Sequence, residues 1–393
     1  MAREQETQGM REETQDLTIV GGGIMGLFTA YYASSFINKI TILEKSVAGE
    51  RNKEAASFSL TRSIRSDYLD PFYARLAYEA RMLWLDLQSE EPFIIDCGCL
   101  NIAKEGITPR LDETYAAQGY DTLTSLHLKA EAYTRETLRE RFPQFDADMG
   151  RLDVEAGFLY VPAITQALLA SLKERQVNIV EEVDVMRIEQ RDARLHIVTN
   201  AGEFSSEKLV VTAGLGTNDV LERITGCAVR FPLMPDRPSQ CKYFIPPAEK
   251  RAMFTSDTLP VFAYLDVGIY GHPIYEGKTR GVKIGFYNPP DVKTVNTRIH
   301  DVHSFVDECI PALREAESID VADVDQCFYD LVADDNFILG KLPGFSNICV
   351  GVGWRGTGYK YAPWVGRTLM QLALQQGTVY DISRFSPQRF ASL

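Results

Sequence analysis

Leu17 to Val20 is a short apolar run that reads as a buried strand, and Gly21-Gly22-Gly23-Ile24-Met25-Gly26 follows it at once. Leu27 to Ser34, rich in small and apolar residues, reads as a helix. Lys39 to Leu43 is a second strand, closing at Glu44. Together these make a compact βαβ opening. Asp70 to Leu87 has helical periodicity, with Leu76, Ala80, Leu83 and Leu87 on one face, and Ala163 to Glu174 predicts another helix. Asn178 to Ile188 and Leu195 to Thr199 read as strands. Lys208 to Thr212 is a third buried strand running into Ala213-Gly214. From about Pro232 to Tyr287 the pattern turns short and β-like, with prolines and aromatics. Asn347 to Val352 is a late buried strand that meets a glycine-rich turn and then a helix near Pro363 to Gln375.

The apolar strands suited to one sheet are far apart in the chain, so the predicted class is α/β with a discontinuous Rossmann-like nucleotide domain and a second, α+β domain with a mostly antiparallel sheet. The expected division is a disordered lead at 1–15, the nucleotide domain at 16–95, 150–225 and 320–393, and the second domain at 96–149 and 226–319. A length of 393 residues allows two or three domain-sized units.

Charge narrows the partners. A net charge of −13 argues against nucleic acid and anionic membranes, which want basic patches, while leaving room for a local basic pocket that takes a small anion. Seven cysteines spread along the chain do not form a disulfide framework, and Cys97 and Cys99 stand too close for a redox pair or a zinc knuckle. No metal site is expected. The polar start lacks the apolar region of a secretory signal. The final Ala391-Ser392-Leu393 matches the Ser-Lys-Leu peroxisomal address poorly. A cytoplasmic location is expected, with the peroxisome a minor alternative.

Gly21, Gly23 and Gly26 form G-x-G-x-x-G between a strand and a helix. The first glycine permits a tight turn, the second a close approach of pyrophosphate to backbone, the third close packing of helix on strand. The helix start, with Ile24 and Met25, then faces phosphate charge. Glu44, with Lys45 beside it, sits where an acid hydrogen-bonds a ribose hydroxyl and repels a 2′-phosphate. The motif alone leaves FAD and NAD both open. Gly214 after the third strand, and the Gly353, Gly356, Thr357, Gly358 turn at a second helix start, favour FAD, since backbone amides there suit the electron-rich edge of a flavin.

Four further segments carry a resemblance. Ser59-Leu60-Thr61-Arg62-Ser63-Ile64-Arg65, Gly281-Val282-Lys283-Ile284-Gly285, Cys327 to Gly340 with Gly353 to Tyr361, and Tyr380 to Arg384 occur in order behind the glycine motif. Over nearly the whole chain after residue 15, the sequence resembles the monomeric sarcosine oxidase-like, L-pipecolate oxidase family of FAD-dependent amine oxidases, in the D-amino-acid oxidase fold superfamily.

The resemblance implies roles. Arg62 would lie by the flavin with Ser59 and Thr61, and Val183 by the adenine. Arg65 and Lys360 would clamp a substrate carboxylate, a task that suits a guanidinium because it donates two parallel hydrogen bonds. Lys283 would promote reaction of the reduced flavin with dioxygen by stabilising developing superoxide. Cys327 would bond covalently to the flavin. Tyr270 and Tyr329 would stand near the substrate, and Trp354, also expected at the substrate, would border the flavin cavity. Without the resemblance, the arginines read as ion-pair residues, Lys283 as a strand lysine and Cys327 as a small buried hydrophobe. The sequence departs from the family at Tyr287, in place of an active-site histidine, at Thr357, where the family segment reads Gly-His-Gly, and in the charged loop from Tyr275 to Arg280. These positions shape the pocket and put sarcosine itself in doubt.

The expected activity is therefore oxidation of the carbon–nitrogen bond of a small secondary, cyclic or N-substituted amino acid by a monomer, giving an imine and hydrogen peroxide. The alternatives are a flavin dehydrogenase with another electron acceptor, an NAD-linked dehydrogenase and a non-catalytic nucleotide-binding protein.

Overall fold

Leu17–Val20 is fully apolar or β-branched and buried along its length, which places it inside a sheet covered on both faces. It pairs in parallel with Ile40–Leu43 on one side and Leu209–Val211 on the other. The computed structural model describes residues 14–48, 56–57, 59–87, 92–108, 110–235, 240–286, 298–320 and 328–391. Among them this sheet has six strands, in the order Ile338–Lys341, Ile348–Val352, Leu209–Val211, Leu17–Val20, Ile40–Leu43 and Asn178–Val180. All pairings are parallel except that of the Ile338–Lys341 edge strand. The strands come from widely separated segments, as the scatter of apolar runs predicts.

The helices Ile24–Ala33 and Ala362–Ala373 pack on each other against this sheet. Gly366 makes their contact possible: a Cβ there would lie 2.5 Å from Phe28 Cβ and 2.6 Å from the Phe28 carbonyl carbon. The predicted helix after Asp70 spans Pro71–Asp86, with the Asp70 carboxylate accepting from the Phe72 amide and proline in the first turn. Its Trp84 is fully buried, and its indole N–H donates to the Lys360 carbonyl at 2.7 Å. That bond ties the helix to the segment carrying one candidate cation.

The second layer is an eight-stranded sheet in the order Glu317–Asp320, Gln240–Ile245, Val282–Phe286, Ile269–His272, Val261–Tyr264, Cys99–Ala103, Met149–Asp153 and Ala130–Thr134. It is antiparallel except where Val261–Tyr264 runs parallel to Cys99–Ala103. A three-stranded sheet of Thr61–Ile64, Gly157–Tyr160 and Ile94–Asp96 joins the layers and carries the Thr61-to-Arg65 segment. The fold is thus a discontinuous Rossmann-like domain with an α+β partner.

Three elements differ from the sequence reading. Asn178 to Ile188 is not one strand: it divides into Asn178–Val180 and Val185–Arg191, with Glu182 at φ 56° between them. The break has a local cause. The Glu182 amide donates to the Ser46 carbonyl and the Val183 amide to the Glu44 carbonyl, drawing the chain toward the glycine turn. Met149–Asp153 and Ala130–Thr134 lack an alternating apolar pattern and escape sequence detection. Met149–Asp153 forms because it pairs with the wholly buried Cys99–Ala103, and Ala130–Thr134 pairs in turn with Met149–Asp153 at the sheet edge.

Gly366→Ala should lower stability by about 1–3 kcal/mol, the usual cost of overpacking, and so lower the melting temperature by a few degrees. An unchanged melting temperature would contradict the close helix contact.

Candidate active site

The glycine turn is built by exclusion. Gly21 adopts φ 106°, and a Cβ there would come within 2.5 Å of the Thr212 carbonyl oxygen. A Cβ on Gly26 would fall 2.0 Å from the Gly21 oxygen. Gly23, by contrast, would meet nothing nearer than Ser57 Oγ at 3.9 Å, so its face is open. It is also the N-cap of the Ile24–Ala33 helix and makes no side-chain cap bond, leaving amide hydrogens for an anion.

A cleft of about 580 Å³ opens there, within the size range of ligand sites. Gly21, Gly23, Ile24, Met25, Glu44, Lys45, Arg62, Val183, Gly214, Tyr329, Trp354, Gly356 and Gly358 all line it. The three parallel strands Leu17–Val20, Ile40–Leu43 and Leu209–Val211 end at its mouth, where ligands bind in open α/β sheets. Glu44 accepts from the Gly22 amide at 2.6 Å and from the Ser46 amide and hydroxyl at 2.9 and 2.6 Å. That fixes its carboxylate at the rim, with lone pairs left for a hydroxyl.

The far wall is the Gly353–Gly358 turn, with Gly353, Arg355 and Gly356 at positive φ. Sequence reasoning missed the residue that holds it. Asp330 accepts from the Gly353 and Trp354 amides at 2.8 and 3.0 Å and lines the cleft. Burial pushes its carboxyl up to about 6 despite these amides. The only sequence signal is an acid set within an apolar run. Thr357 is turned inward, its amide and hydroxyl both donating to the Trp354 carbonyl. An uncapped helix start, glycines with no room for a Cβ and a fixed rim carboxylate together suit a dinucleotide such as FAD.

Beyond the cleft lies a second set of groups. Lys283 is 2% exposed, and its ammonium donates to Ser59 Oγ at 2.8 Å. On the sheet it stands opposite His272, which sequence reasoning also missed. The His272 ring joins Thr61 Oγ1 at 2.6 Å and Ser63 Oγ at 2.8 Å, so it fastens the strand bearing Arg62 to the large sheet. Arg62 itself donates to the Ala56 carbonyl at 2.5 Å. The Tyr270 ring lies 6.0 Å from that of His272.

Arg65 and Lys360 converge on Tyr68: the guanidinium carbon is 4.9 Å and the ammonium 5.5 Å from its ring centre. Burial opposes both charges. It carries the Lys360 ammonium below its usual value, whereas Asp67 holds Arg65 well above its own despite burial. Burial alone would raise the Tyr68 phenol, but Lys360 and Arg65 bring it below its usual value. The Arg65–Asp67 pair, at 2.5 Å with side chains 12% and 4% exposed, was not foreseen. Removing one partner of such a buried pair costs about 3–5 kcal/mol. Lys360 donates to the Thr357 carbonyl at 3.1 Å. Neither cation lines the main cleft. Cys327 and Tyr287 lie outside the described residues. Among the described residues no group of side chains could hold a metal ion, and no helix is long and apolar enough to cross a membrane.

Residues 16–372 match the sequence model of the family described as FAD dependent oxidoreductase, DAO. The chain belongs to that family. It is 27% identical to the peroxisomal sarcosine oxidase of Homo sapiens, with 98% of each chain covered, and 26% identical to the monomeric sarcosine oxidase of Arthrobacter sp. (strain TE1826), covering 95% of this chain and 96% of that one. Among solved structures it is similar to NikD, an amino acid oxidase of nikkomycin biosynthesis, at TM-score 0.74 and 20% identity over 95% of this chain and 98% of that one. L-proline dehydrogenase from P. horikoshii superposes at TM-score 0.79 and 18% identity, with 97% and 99% covered. These two likenesses establish the fold, and membership of the DAO family makes the chain an FAD-dependent oxidoreductase.

Asp153 offers a test of the buried electrostatics. It accepts from the Ser66 amide at 2.6 Å. Burial first, and then the Asp67 charge, raise its carboxyl to about 7. The fold favours its protonated form, so this contribution to stability is complete below the ordinary carboxylate range and is lost as pH rises through about 7. Asp153→Asn, which can still accept the Ser66 amide, should flatten that decline. Its melting temperature should gain on the wild type between about pH 5 and about pH 8.5. A constant difference across that range would refute the assignment.

Proposed function

We propose that this protein is an amine oxidase that removes two electrons and two protons from the CH–NH unit of a small secondary, cyclic or N-substituted amino acid, and that dioxygen takes them up. The products are an imine and hydrogen peroxide. The observation that carries this reading is the convergence of two buried cations, Arg65 and Lys360, on Tyr68 in a protein of net charge −13. Asp67 already answers Arg65, but among the described residues Lys360 makes no ion pair with a carboxylate, and an amino acid brings one. The names of the relatives point the same way.

FAD in the cleft supplies the two-electron chemistry. The chain's own residues hold and orient. The amides at Gly23 to Met25 receive the pyrophosphate, and Glu44 receives a ribose hydroxyl. Val183 borders the adenine end, and Gly214 and the Gly353–Gly358 turn enclose the flavin end. Arg62, Ser59 and Thr61 back that end. Lys360 binds the substrate carboxylate at the pole it shares with Arg65, while Tyr270, Tyr329 and Trp354 wall the reacting amine. The substrate reacts as the free amine, since an ammonium has no lone pair to assist C–H cleavage.

Lys283, fixed by Ser59, offers a preset positive charge to the negative charge developing on dioxygen. Cys327 tethers the flavin covalently. The two domains follow the expected division except that Met149–Asp153 belongs with the sheet of the second domain, and the enzyme acts as a monomer.

Lys283→Met should slow reoxidation of the reduced enzyme by oxygen by about 10²-fold or more, the usual scale for losing a preorganised charge, and leave anaerobic reduction by substrate much less affected. Equal oxygen rates in the two proteins would remove Lys283 from the oxygen step. Cys327→Ala should release the yellow colour from acid-precipitated protein; colour retained in the pellet would place the tether elsewhere.

A further inference from the structure

Asp67 stands in the sequence two residues beyond Arg65, and the structure gives it no role as a surface residue. It is 3% exposed. One carboxylate oxygen receives Arg65 Nη1 at 2.5 Å and the other the amide of Asn101. The Asp67 carbonyl takes a second, longer contact from the same Arg65 nitrogen at 3.2 Å. Asp67 is therefore anchored from both sides. It cannot swing away from Arg65 without leaving a buried carboxylate with Asn101 alone. Lys360 differs: its ammonium donates to the Thr357 carbonyl and faces the Tyr68 phenol, and among the described residues it makes no ion pair with a carboxylate.

The charges at this end then sum differently from a plain pair of cations. Arg65 is balanced by Asp67, and Lys360 is balanced by nothing acidic within ion-pair reach among the described residues. We propose that Asp67 is a specificity-determining residue that neutralises Arg65 and leaves Lys360 as the cation for a carboxylate, so that the enzyme takes amino acids with a single carboxylate and discriminates against those with two. The monocarboxylate docks on Lys360. Arg65 contributes its Nε and Nη2 donors, which take no acceptor among the described residues, as neutral-pair hydrogen bonds rather than as a free charge. A second carboxylate on the substrate meets the Asp67 charge across Arg65.

This inference rests on the reading of the Arg65–Lys360 pole as the carboxylate site, and its test separates the two. Propionate and succinate, as single- and double-carboxylate probes, would be titrated calorimetrically into FAD-loaded wild type, Asp67→Asn and Asp67→Ala at constant ionic strength. The wild type should bind propionate more tightly than succinate. Both variants should shift the succinate-to-propionate affinity ratio toward succinate by roughly tenfold or more. A merely structural role for Asp67 would weaken both probes together and leave the ratio unmoved. That result, or binding unchanged in both variants, overturns the inference while the carboxylate site stands. Absence of binding by either probe to any of the proteins overturns both.

Discussion

The close contact between the first turn and the end of the third parallel strand is the constraint on which the rest of the site depends. Gly21 lies so near Thr212 that a Cβ would come within 2.5 Å of the Thr212 carbonyl oxygen, and Thr212 Oγ1 in turn donates to the Gly21 carbonyl at 3.1 Å. With those two strand ends locked together, the Ile24–Ala33 helix begins against the sheet with its amides uncovered. The cleft opens between Glu44 on one side and the Gly353–Gly358 turn on the other. Any side chain at Gly21 or Gly26 would part strand from helix and close the space a dinucleotide needs.

Much of this was legible in the sequence, because the elements around the cleft obey local rules. A buried strand, three glycines at fixed spacing and an acid at the next strand end follow from backbone sterics and phosphate charge, so Gly21, Gly23, Gly26 and Glu44 fall where pattern alone puts them. The wall at Gly353 to Gly358 was legible for the same reason. Asp330, which secures that wall, was not. Its importance comes from two amides more than twenty residues away, and its only local mark is a charge in an apolar strand. His272 is hidden in the same way: its partners Thr61 and Ser63 are about two hundred residues distant. The strands Met149–Asp153 and Ala130–Thr134 depend on tertiary pairing rather than propensity, which is why periodicity passes over them.

The substrate end shows a further limit of motif reading. The Thr61-to-Arg65 segment announces two arginines, and resemblance assigns one of them to a carboxylate. The motif does not reveal that Asp67, just beyond it, already supplies Arg65 with a buried counter-charge. Whether a cation is available to a ligand depends on its other neighbours, and for Arg65 these are Tyr115 and Asp67, the latter held in turn by Asn101. The same low-dielectric setting that strengthens the Arg65–Asp67 pair also depresses Lys360 and raises Asp153. This pole therefore behaves as one linked set of charges rather than as a pair of independent clamps.

Anaerobic titration of the purified protein with secondary, cyclic and N-alkyl amino acids, followed in the visible flavin band, tests the central claim most directly. The account predicts a yellow protein whose band bleaches with at least one such compound, recovers in air with one hydrogen peroxide formed per substrate consumed, and does not bleach with the corresponding amine lacking the carboxylate. A colourless protein would contradict the flavin site. A yellow protein that bleaches equally well with the decarboxylated amine would contradict the role given to the buried cations.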